Sequence, residues 1–407
     1  MRDDLTRLAE RALGFCDGDA QVTAWWERQL TGAAGGAITT EATSVEIAVL
    51  SDGHVGTAVT TVVDDDGLAA AAAGAGRVAP SGPAATEDLP DPVGGRAHDG
   101  FDGTVLALDP ADFVLGEWAS WRAAAARTLV ASTRGVLAYE ERSFGDVRVR
   151  RARPGRSLEL ALTAVRPGDL DAAALAGEAD ALLGAGDELV NVAPGEYPVV
   201  LGPWAVAEVL RRAAVAFGGP ESPLGGRLGT RVAAPAINLS DSPRFAATLP
   251  RSFDATGVPR QPLPLIQDGV AHRFAGPGTG HALAPGGVGG TLPEHLVLVG
   301  GGAADLAELA APIEVGLLIP TLTVHGGWAI GERGSALAEG VSVIQGGEIA
   351  APAPNLAVRF EPLELLATAQ ALTARQRTIP PPVQRSARTA SATVCPGARF
   401  AGGLFVA

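Results

Sequence analysis

The chain has 407 residues, 47% of them hydrophobic, a length that suits about two domains with substantial cores. Its 31 basic residues are all arginine and stand against 45 acidic residues, and the net charge of -14 argues against a general nucleic-acid surface. Only Cys16 and Cys395 are present, which excludes a disulfide framework and a cysteine-rich zinc module.

The sequence predicts a cytoplasmic protein without a membrane contact. The start, Met1-Arg2-Asp3-Asp4, is not followed by the apolar segment of a standard secretory signal. No run reaches the ~20 apolar residues that a membrane-spanning helix requires.

The first third of the chain predicts helices packed on antiparallel strands. Apolar residues between Leu5 and Cys16 recur at helical spacing, and strand patterns at 21–30 and 44–50 precede a hairpin turn at residues 51–53. Three aspartates, 64–66, precede an alanine-rich run. A helix cap is favoured there over a metal site, because neighbouring side chains rarely converge on one ion.

Residues 112–127 predict a helix with Trp118 and Trp121 on one side, where packing is favoured over ligand stacking. A meander of short strands follows, at 128–132, 135–141, 147–153 and 157–165. A helix over 170–183 closes the predicted first domain, residues 1–188. The meander carries a basic cluster, which is either the solvent face of a strand or a contact to a carboxylate or partner; its members are Arg148, Arg150, Arg151 and Arg153.

The chain is organised around residues 194–219. Residues 197–201 are apolar and flanked by glycines, which predicts a buried strand. Pro203 then begins a helix that ends at Gly218. Its apolar residues share one stripe, and the opposite side is predicted to carry Glu208, Arg211 and Arg212.

The predicted second domain, residues 189–407, reads mostly as strands with many glycines. The clearest patterns are a hairpin turn at 267–269, strands at 296–299 and 315–324, a helix at 361–376 and a strand pair around 393–405.

Catalytic motifs are weak throughout. None of the six histidines begins a His-Glu motif or has a second histidine at helical spacing. The glycines at 300–302 imitate a phosphate loop, but Asp305 stands where a glycine would be needed, and a Gly-x-Ser-x-Gly elbow is missing. A site assembled from the C-terminal histidines stays open as an alternative; these are His272, His281, His295 and His325.

Several segments of the second half carry a family resemblance. They are PLGGRLGTRV, INLSDSP, RSFDATGVPRQPLPLIQDGVAHRF and GTGHA within residues 223–284, and GERGSALAEGVSVIQGGEIAAP at 331–352. These segments resemble the TldE branch of the TldD/PmbA family. Where relatives read Asp-Asp-Glu-Gly, this chain has Asp254, Ala255, Thr256 and Gly257.

The peptidase branch, TldD, carries a zinc-binding His-Glu-x-x-x-His helix directly after such a central strand. Matched without a gap from Val199, the six motif positions fall on residues 211–216, Arg-Arg-Ala-Ala-Val-Ala, none of which holds zinc as histidine does. TldD also has a late cysteine on zinc. Cys395 does not align cleanly with it and is predicted to be a buried structural thiol.

The resemblance implies an α+β protein, with an N-terminal antiparallel sheet with helices and a C-terminal domain built on a large curved antiparallel or barrel-like sheet. It further implies pairing with a TldD-like zinc peptidase subunit that hydrolyses a small peptide or peptide-derived natural product. Zinc is expected in the partner, with no cofactor and no catalytic residue in this chain.

The residues expected to contact substrate or partner are Arg211, Arg212, Asp254 and His281. An equally favoured alternative for the two arginines is that they pair with Glu208 on a surface helix. The competing hypotheses are an autonomous hydrolase or other enzyme that uses the C-terminal histidines with Asp254, and a scaffold without activity.

Overall fold

The computed structural model describes residues 1–407 except 34–35, 94, 97–99, 110–118, 185, 187, 220–221, 223, 277, 325–330 and 385, and only the backbone of 95–96. The described residues form two sheets with helices packed against them, which confirms the α+β class.

The first sheet has seven strands. They are β1 Ala20–Ala33, β2 Gly36–Ser51, β3 His54–Thr60, β4 Gly95–Arg96, β5 Ala119–Ser132, β6 Leu137–Arg153 and β7 Arg156–Ala164. The order is β3-β2-β1-β5-β6, and β6 also pairs with β4 and β7. All pairs are antiparallel except β4 with β6.

Three helices accompany this sheet: α1 Arg2–Leu13, α2 Asp65–Val78 and α3 Ala172–Leu183. The predicted cap at the start of α2 is confirmed, because the Asp64 carboxylate accepts a hydrogen bond from the Gly67 amide at 2.8 Å. Asp65 bonds Arg11 at the end of α1 and so ties the two helices together. The aspartate run therefore serves helix structure.

Two predictions in this half were wrong. Residues 119–127, predicted as helix, belong to β5, whose alanines 123–126 are buried between β1 and β6; Trp118 lies outside the described residues. The two strands predicted at 135–141 and 147–153 are one strand, β6. Gly145 does not turn the chain; a side chain there would meet Pro167 at 2.9 Å, so glycine permits close packing of the following segment.

The second sheet has thirteen strands. They are β8 Gly195–Leu201, β9 Leu239–Asp241, β10 Leu263–Gln267, β11 Val270–Ala271, β12 Leu296–Leu298, β13 Val315–Ile319, β14 Thr321–Val324, β15 Gly334–Glu339, β16 Ser342–Gln345, β17 Glu348–Pro352, β18 Leu356–Phe360, β19 Ala369–Ile379 and β20 Thr393–Val406. The long strand β20 is its centre and pairs with β8, β12, β18 and β19. Most pairs are antiparallel, but β8 with β13 and β12 with β20 are parallel, and the described strands do not close into a barrel.

Two C-terminal predictions also need correction. The helix predicted at 361–376 is only α6, Pro362–Ala367, after which the chain enters β19. The strand pair predicted around 393–405 is the single strand β20. The other short helix of this half, α5 Leu306–Ala310, begins at Asp305, which caps it through the Glu308 amide.

The largest apolar cluster surrounds the central helix, α4 Pro203–Val215. The strand and helix predicted there are confirmed, and ten of the thirteen helix residues are buried. Glu208 is among them at 3% exposure, so its prediction as an outward-facing residue was wrong. The cluster also includes residues of β6, β7 and α3, and the division into domains at residues 188 and 189 stays a prediction.

Within the described part of the chain, no helix is both long enough and apolar enough to cross a membrane.

Candidate functional site

A cavity of about 480 Å³ lies beside α4 and brings Arg211 and Arg212 together with residues of both sheets. Residues of β6 and β7 in the first sheet and of β14 and β15 in the second line it together with α4. Trp204 fixes α4 to the first sheet, because its indole N–H donates to the carbonyl oxygen of Ala161 on β7 at 2.7 Å. The cavity therefore depends on the packing of the two sheets around α4.

Glu208 holds both predicted arginines. Its Oε2 accepts from Nη2 of Arg211 at 2.9 Å and from Nε at 3.2 Å, and its Oε1 accepts from Nε of Arg212 at 2.9 Å. The spacing of three and four residues places these side chains on one helix face. One buried carboxylate thus orients two guanidinium groups at the cavity.

The other cavity walls add further charges. Arg148 on β6 contacts Glu159 on β7 at 3.3 Å and donates to the carbonyl of Pro381 at 2.7 Å. Glu339 on β15 accepts hydrogen bonds from Ser157 at 2.9 Å and from Thr323 at 2.7 Å. With Arg150 included, four guanidinium groups face three carboxylates, Glu159, Glu208 and Glu339, so positive charge is in excess by one.

Arg148 and Arg150 belong to the predicted basic cluster, and two strand positions apart they share one face of β6. Arg151 lies on the other face, where it pairs with Asp180 of α3 at 2.8 Å. Arg148 and Arg150 therefore lie at the cavity, whereas Arg151 lies at α3.

Asp254 and His281, the other predicted contact residues, lie apart from this cavity. Asp254 is 2% exposed, and its carboxylate accepts from the amides of Thr256, Val258 and Ala282 at 2.9 to 3.1 Å. These bonds fix the loop after it and join that loop to the residue following His281. The two predicted residues are thus neighbours, but their surroundings are closed.

His281 binds Asp241, a completely buried residue of β9. Its Nε2 lies 2.7 Å from Oδ2 of Asp241, and its Nδ1 lies 2.9 Å from both the carbonyl and the hydroxyl of Thr279. The carboxylate and the carbonyl only accept, and the hydroxyl already donates to the Gly276 carbonyl at 2.7 Å. Both ring nitrogens are therefore occupied by internal contacts, and the 1% exposed ring offers no free nitrogen to a substrate.

Asp241 is the centre of a buried ionic network. Its Oδ2 also accepts from Arg260 at 3.0 Å, and its Oδ1 accepts from the amides of Glu294 and His295 at 3.0 and 2.5 Å. Burial alone would raise the pKa of Asp241, but the Arg260 charge and the His281 hydrogen bond outweigh burial and hold the pKa well below its usual range. The carboxylate is therefore ionised, and both of its oxygens are occupied by internal donors.

His295 lies beside the same network with a ring that is completely buried. Burial, followed by the positive charge of Arg260, holds the pKa of His295 well below its ordinary value. Neither ring nitrogen has a hydrogen-bond partner within the described residues. This histidine is therefore neutral and closed to solvent.

Arg142 connects this region to the first sheet. Its guanidinium donates to five backbone carbonyls at 2.6 to 2.9 Å, those of Leu249, Pro250, Ala387, Arg388 and Ala390. Burial lowers the pKa of Arg142 to about 10, which still leaves it charged at neutral pH. The side chain from β6 thus holds two loops of the C-terminal half.

Residues 194–403, just over half of the chain, match the family model described as PmbA/TldA metallopeptidase C-terminal domain. The chain belongs to the PmbA/TldD family. No curated protein matches its sequence.

Solved structures show the fold of this PmbA/TldD family member over its whole length. It is similar to TldE from Thermococcus kodakarensis, with a TM-score of 0.82 and 18% identity over 99% of each chain. It is also similar to a putative modulator of a DNA gyrase from Thermotoga maritima, with a TM-score of 0.74 and 21% identity over 100% of this chain and 99% of that one. A putative modulator of DNA gyrase from Bacteroides thetaiotaomicron has a TM-score of 0.74 and 18% identity over 98% and 99%.

The ungapped match in the sequence places the zinc motif at residues 211–216, whose side chains lack the ligand atoms that zinc requires. Arg211 and Arg212 have donors only and are engaged with Glu208, and Ala216 has no ligand atom. Cys395 is completely buried, as predicted; its Sγ lies 3.2 Å from the carbonyl of Pro203, and burial raises the pKa of the thiol to about 12. Among the residues described, no group of three or more His, Cys, Asp or Glu side chains could hold a metal.

The sequence did not identify the cavity's Thr321, Glu159 and Glu339, or the network's Asp241 and Arg260. A signal existed for Asp241 and Arg260, because each is a charged residue within segments that supported the family resemblance. For the cavity, residues more than 100 positions apart meet, and their separate strand patterns gave no indication of that contact.

Proposed function

We propose that this chain is the non-metal-binding subunit of a cytoplasmic, heterodimeric zinc peptidase of the TldD/TldE type. Its substrate is a small peptide or peptide-derived natural product, and its partner is a TldD-like subunit. Membership in the PmbA/TldD family supports the class of assembly.

The proposal rests mainly on which side chains α4 places at the cavity. The helix is buried among apolar residues, and Arg211 and Arg212, which are bound to Glu208, line a cavity of about 480 Å³. These are the positions at which the ungapped sequence match expects the first two residues of the zinc motif. This volume is within the range of small-ligand sites. Such a helix holds and orients a ligand but supplies no metal ligand.

The proposal gives the two subunits different roles. Zinc in the partner would polarise the scissile carbonyl and activate water. This chain contributes fixed cationic donors, which position a substrate before reaction and so lower the entropic part of the barrier.

The autonomous-hydrolase hypothesis gains no support from the described histidines of the C-terminal half. His281 and His295 are buried, and both ring nitrogens of His281 are occupied by internal contacts. His272 is exposed on a loop without a catalytic partner among the described residues, and His325 lies outside them. A general base needs an accessible nitrogen within hydrogen-bond reach of its substrate.

Reconstitution tests the proposal. The purified chain, a co-expressed His-Glu-x-x-x-His protein and their mixture are assayed for hydrolysis of short peptides. We expect activity only in the mixture, saturating at one chain per partner. A Glu→Gln change in the partner's motif should abolish it, whereas His272→Asn in this chain should leave it unchanged. Hydrolysis by this chain alone, lost in His272→Asn, would establish the competing hypothesis instead.

A further inference from the structure

Two residues that line the cavity beside α4 each have a buried polar atom that the described residues leave without a partner. One is Nη1 of Arg211, which has no hydrogen-bond acceptor among the described residues, although the Nε and Nη2 edge of the same guanidinium is bound to Glu208. The other is the hydroxyl of Thr321, a residue that is 4% exposed, which has no partner in the described part of the chain. Buried donors without acceptors cost roughly 1–3 kcal/mol each, so such positions favour a ligand that completes them.

Arg150 adds a free charge at the same cavity. Its side chain is exposed and has neither an ion pair nor a hydrogen bond within the described part of the chain. Arg148 and Arg212, in contrast, are already bound to Glu159 and Glu208. The available positive charge therefore lies at Arg150 and at the unpaired edge of Arg211.

The net charge of the cavity residues indicates which kind of anion the cavity could bind. Four guanidinium groups and three carboxylates leave an excess of one positive charge. A single carboxylate neutralises this excess, whereas a doubly charged phosphate would leave the cavity negative and be repelled by Glu159 and Glu339. A carboxylate also has two oxygens, which match charged N–H donors together with a hydroxyl.

We propose that this cavity binds the free C-terminal carboxylate of a short peptide, through Arg211 and Arg150 as charged donors and Thr321 as a neutral donor. The peptide nature of the ligand rests on the proposed function. The complex would then select peptides with a free carboxyl end over blocked ones.

Calorimetric titration of the purified chain with trialanine and with trialanine amide tests this proposal. The two probes differ only in the terminal group, which is a charged carboxylate in one and a neutral amide in the other. We expect the free acid to bind about 10-fold or more tightly than the amide, the usual size of a hydrogen-bonded charge contact. Equal affinity for acid and amide overturns the proposal.

Three substitutions test which side chains bind the carboxylate, and a fourth serves as a matched control. Arg211→Gln and Arg150→Gln should each weaken binding of the acid but not of the amide, and Thr321→Val should weaken it roughly 3-fold or more without a change in charge. Arg151→Gln removes one charge from the same strand, but Arg151 faces Asp180, so binding should not change. Because Arg150 is exposed, its replacement should leave the stability of the fold unchanged. Wild-type affinity in both Arg150→Gln and Arg211→Gln overturns the proposal.

The same peptides, measured on the zinc-containing complex, separate this inference from the proposed function. Binding of the acid without an active complex supports the carboxylate site and contradicts the heterodimer. An active complex that shows no preference for acid over amide supports the heterodimer and contradicts the carboxylate site. If Arg211→Gln weakens subunit association and leaves KM for the acid unchanged, the arginine serves the subunit interface, and the carboxylate site is overturned. Failure of the acid to bind either chain or complex overturns it as well.

Discussion

Asp241 and Arg211 are both charged residues in the C-terminal half, but their surroundings differ. Asp241 is completely buried, and four donors occupy its two oxygens. The side chain of Arg211 is 21% exposed and borders a cavity, and one of its nitrogens has no acceptor among the residues that the structure describes. A charge whose partners are all internal stabilises one arrangement of the fold, whereas a charge with an open position beside a cavity is suited to a ligand. The predictions below test this difference, beginning with the largest effect.

Asp241→Asn should destabilise the fold by about 3–5 kcal/mol, because it leaves the buried Arg260 without its nearest compensating charge. Chemical denaturation of the purified variant measures this loss. Glu364→Gln is the control, since its pair with Arg333 is half exposed and should contribute at most about 1 kcal/mol. Comparable stability losses in the two variants would contradict the structural role of the network.

Arg142→Met should cost about 3 kcal/mol, because five backbone carbonyls of two loops lose their donor. Arg142→Lys should recover only part of this loss, since one ammonium cannot reach the positions of a planar guanidinium fork. Denaturation midpoints of both variants give the comparison. A lysine variant as stable as the wild type would show that charge alone, without the fork geometry, joins the sheet to the loops.

The pH dependence of stability tests the closed environment of His295. Its folded pKa is lowered by burial and by Arg260, so below about pH 6.5 the unfolded chain binds a proton that the folded chain does not. The free energy of unfolding should therefore fall by up to about 1.4 kcal/mol per pH unit below pH 6.5 through this group. His295→Phe removes the group. If wild type and variant have the same slope between pH 6.5 and 5, His295 is not held neutral.

Thr321→Val should leave the free chain as stable as the wild type or slightly more stable, by less than about 1 kcal/mol, because an unpartnered buried hydroxyl is replaced by a methyl group. Thermal unfolding without peptide measures this effect. A clear loss of stability would mean that the hydroxyl already has an internal role, and the contrast with the Asp241 network would be lost.

Local signals predicted much of the fold. The strand and helix at 195–215, the cap at Asp64 and the hairpin turn at 267–269 depend on neighbouring residues, and all three were identified correctly. Asp268 and Gly269 have φ values of 48° and 76°, which are typical of such a turn. The family resemblance also predicted the correct fold class, α+β.

The errors arose where the sheet overrides local propensity. Ala123–Ala126 in β5 and the residues of β19 are good helix formers, but β5 lies between two strands and β19 pairs with β20. Glu208 was predicted on the outer side of its helix, opposite the apolar stripe, yet it is buried, and two arginines three and four positions away neutralise its charge. The candidate site itself joins residues 148–159, 211 and 321, and no pattern within any one segment specifies that contact.

The central claim is most directly tested by zinc stoichiometry, measured by elemental analysis on the purified chain and on its complex with a co-expressed His-Glu-x-x-x-His protein. The account predicts no stoichiometric zinc in the chain alone and about one ion per heterodimer in the complex. One zinc ion per chain in the isolated protein would contradict it and would assign a metal site to residues of this chain.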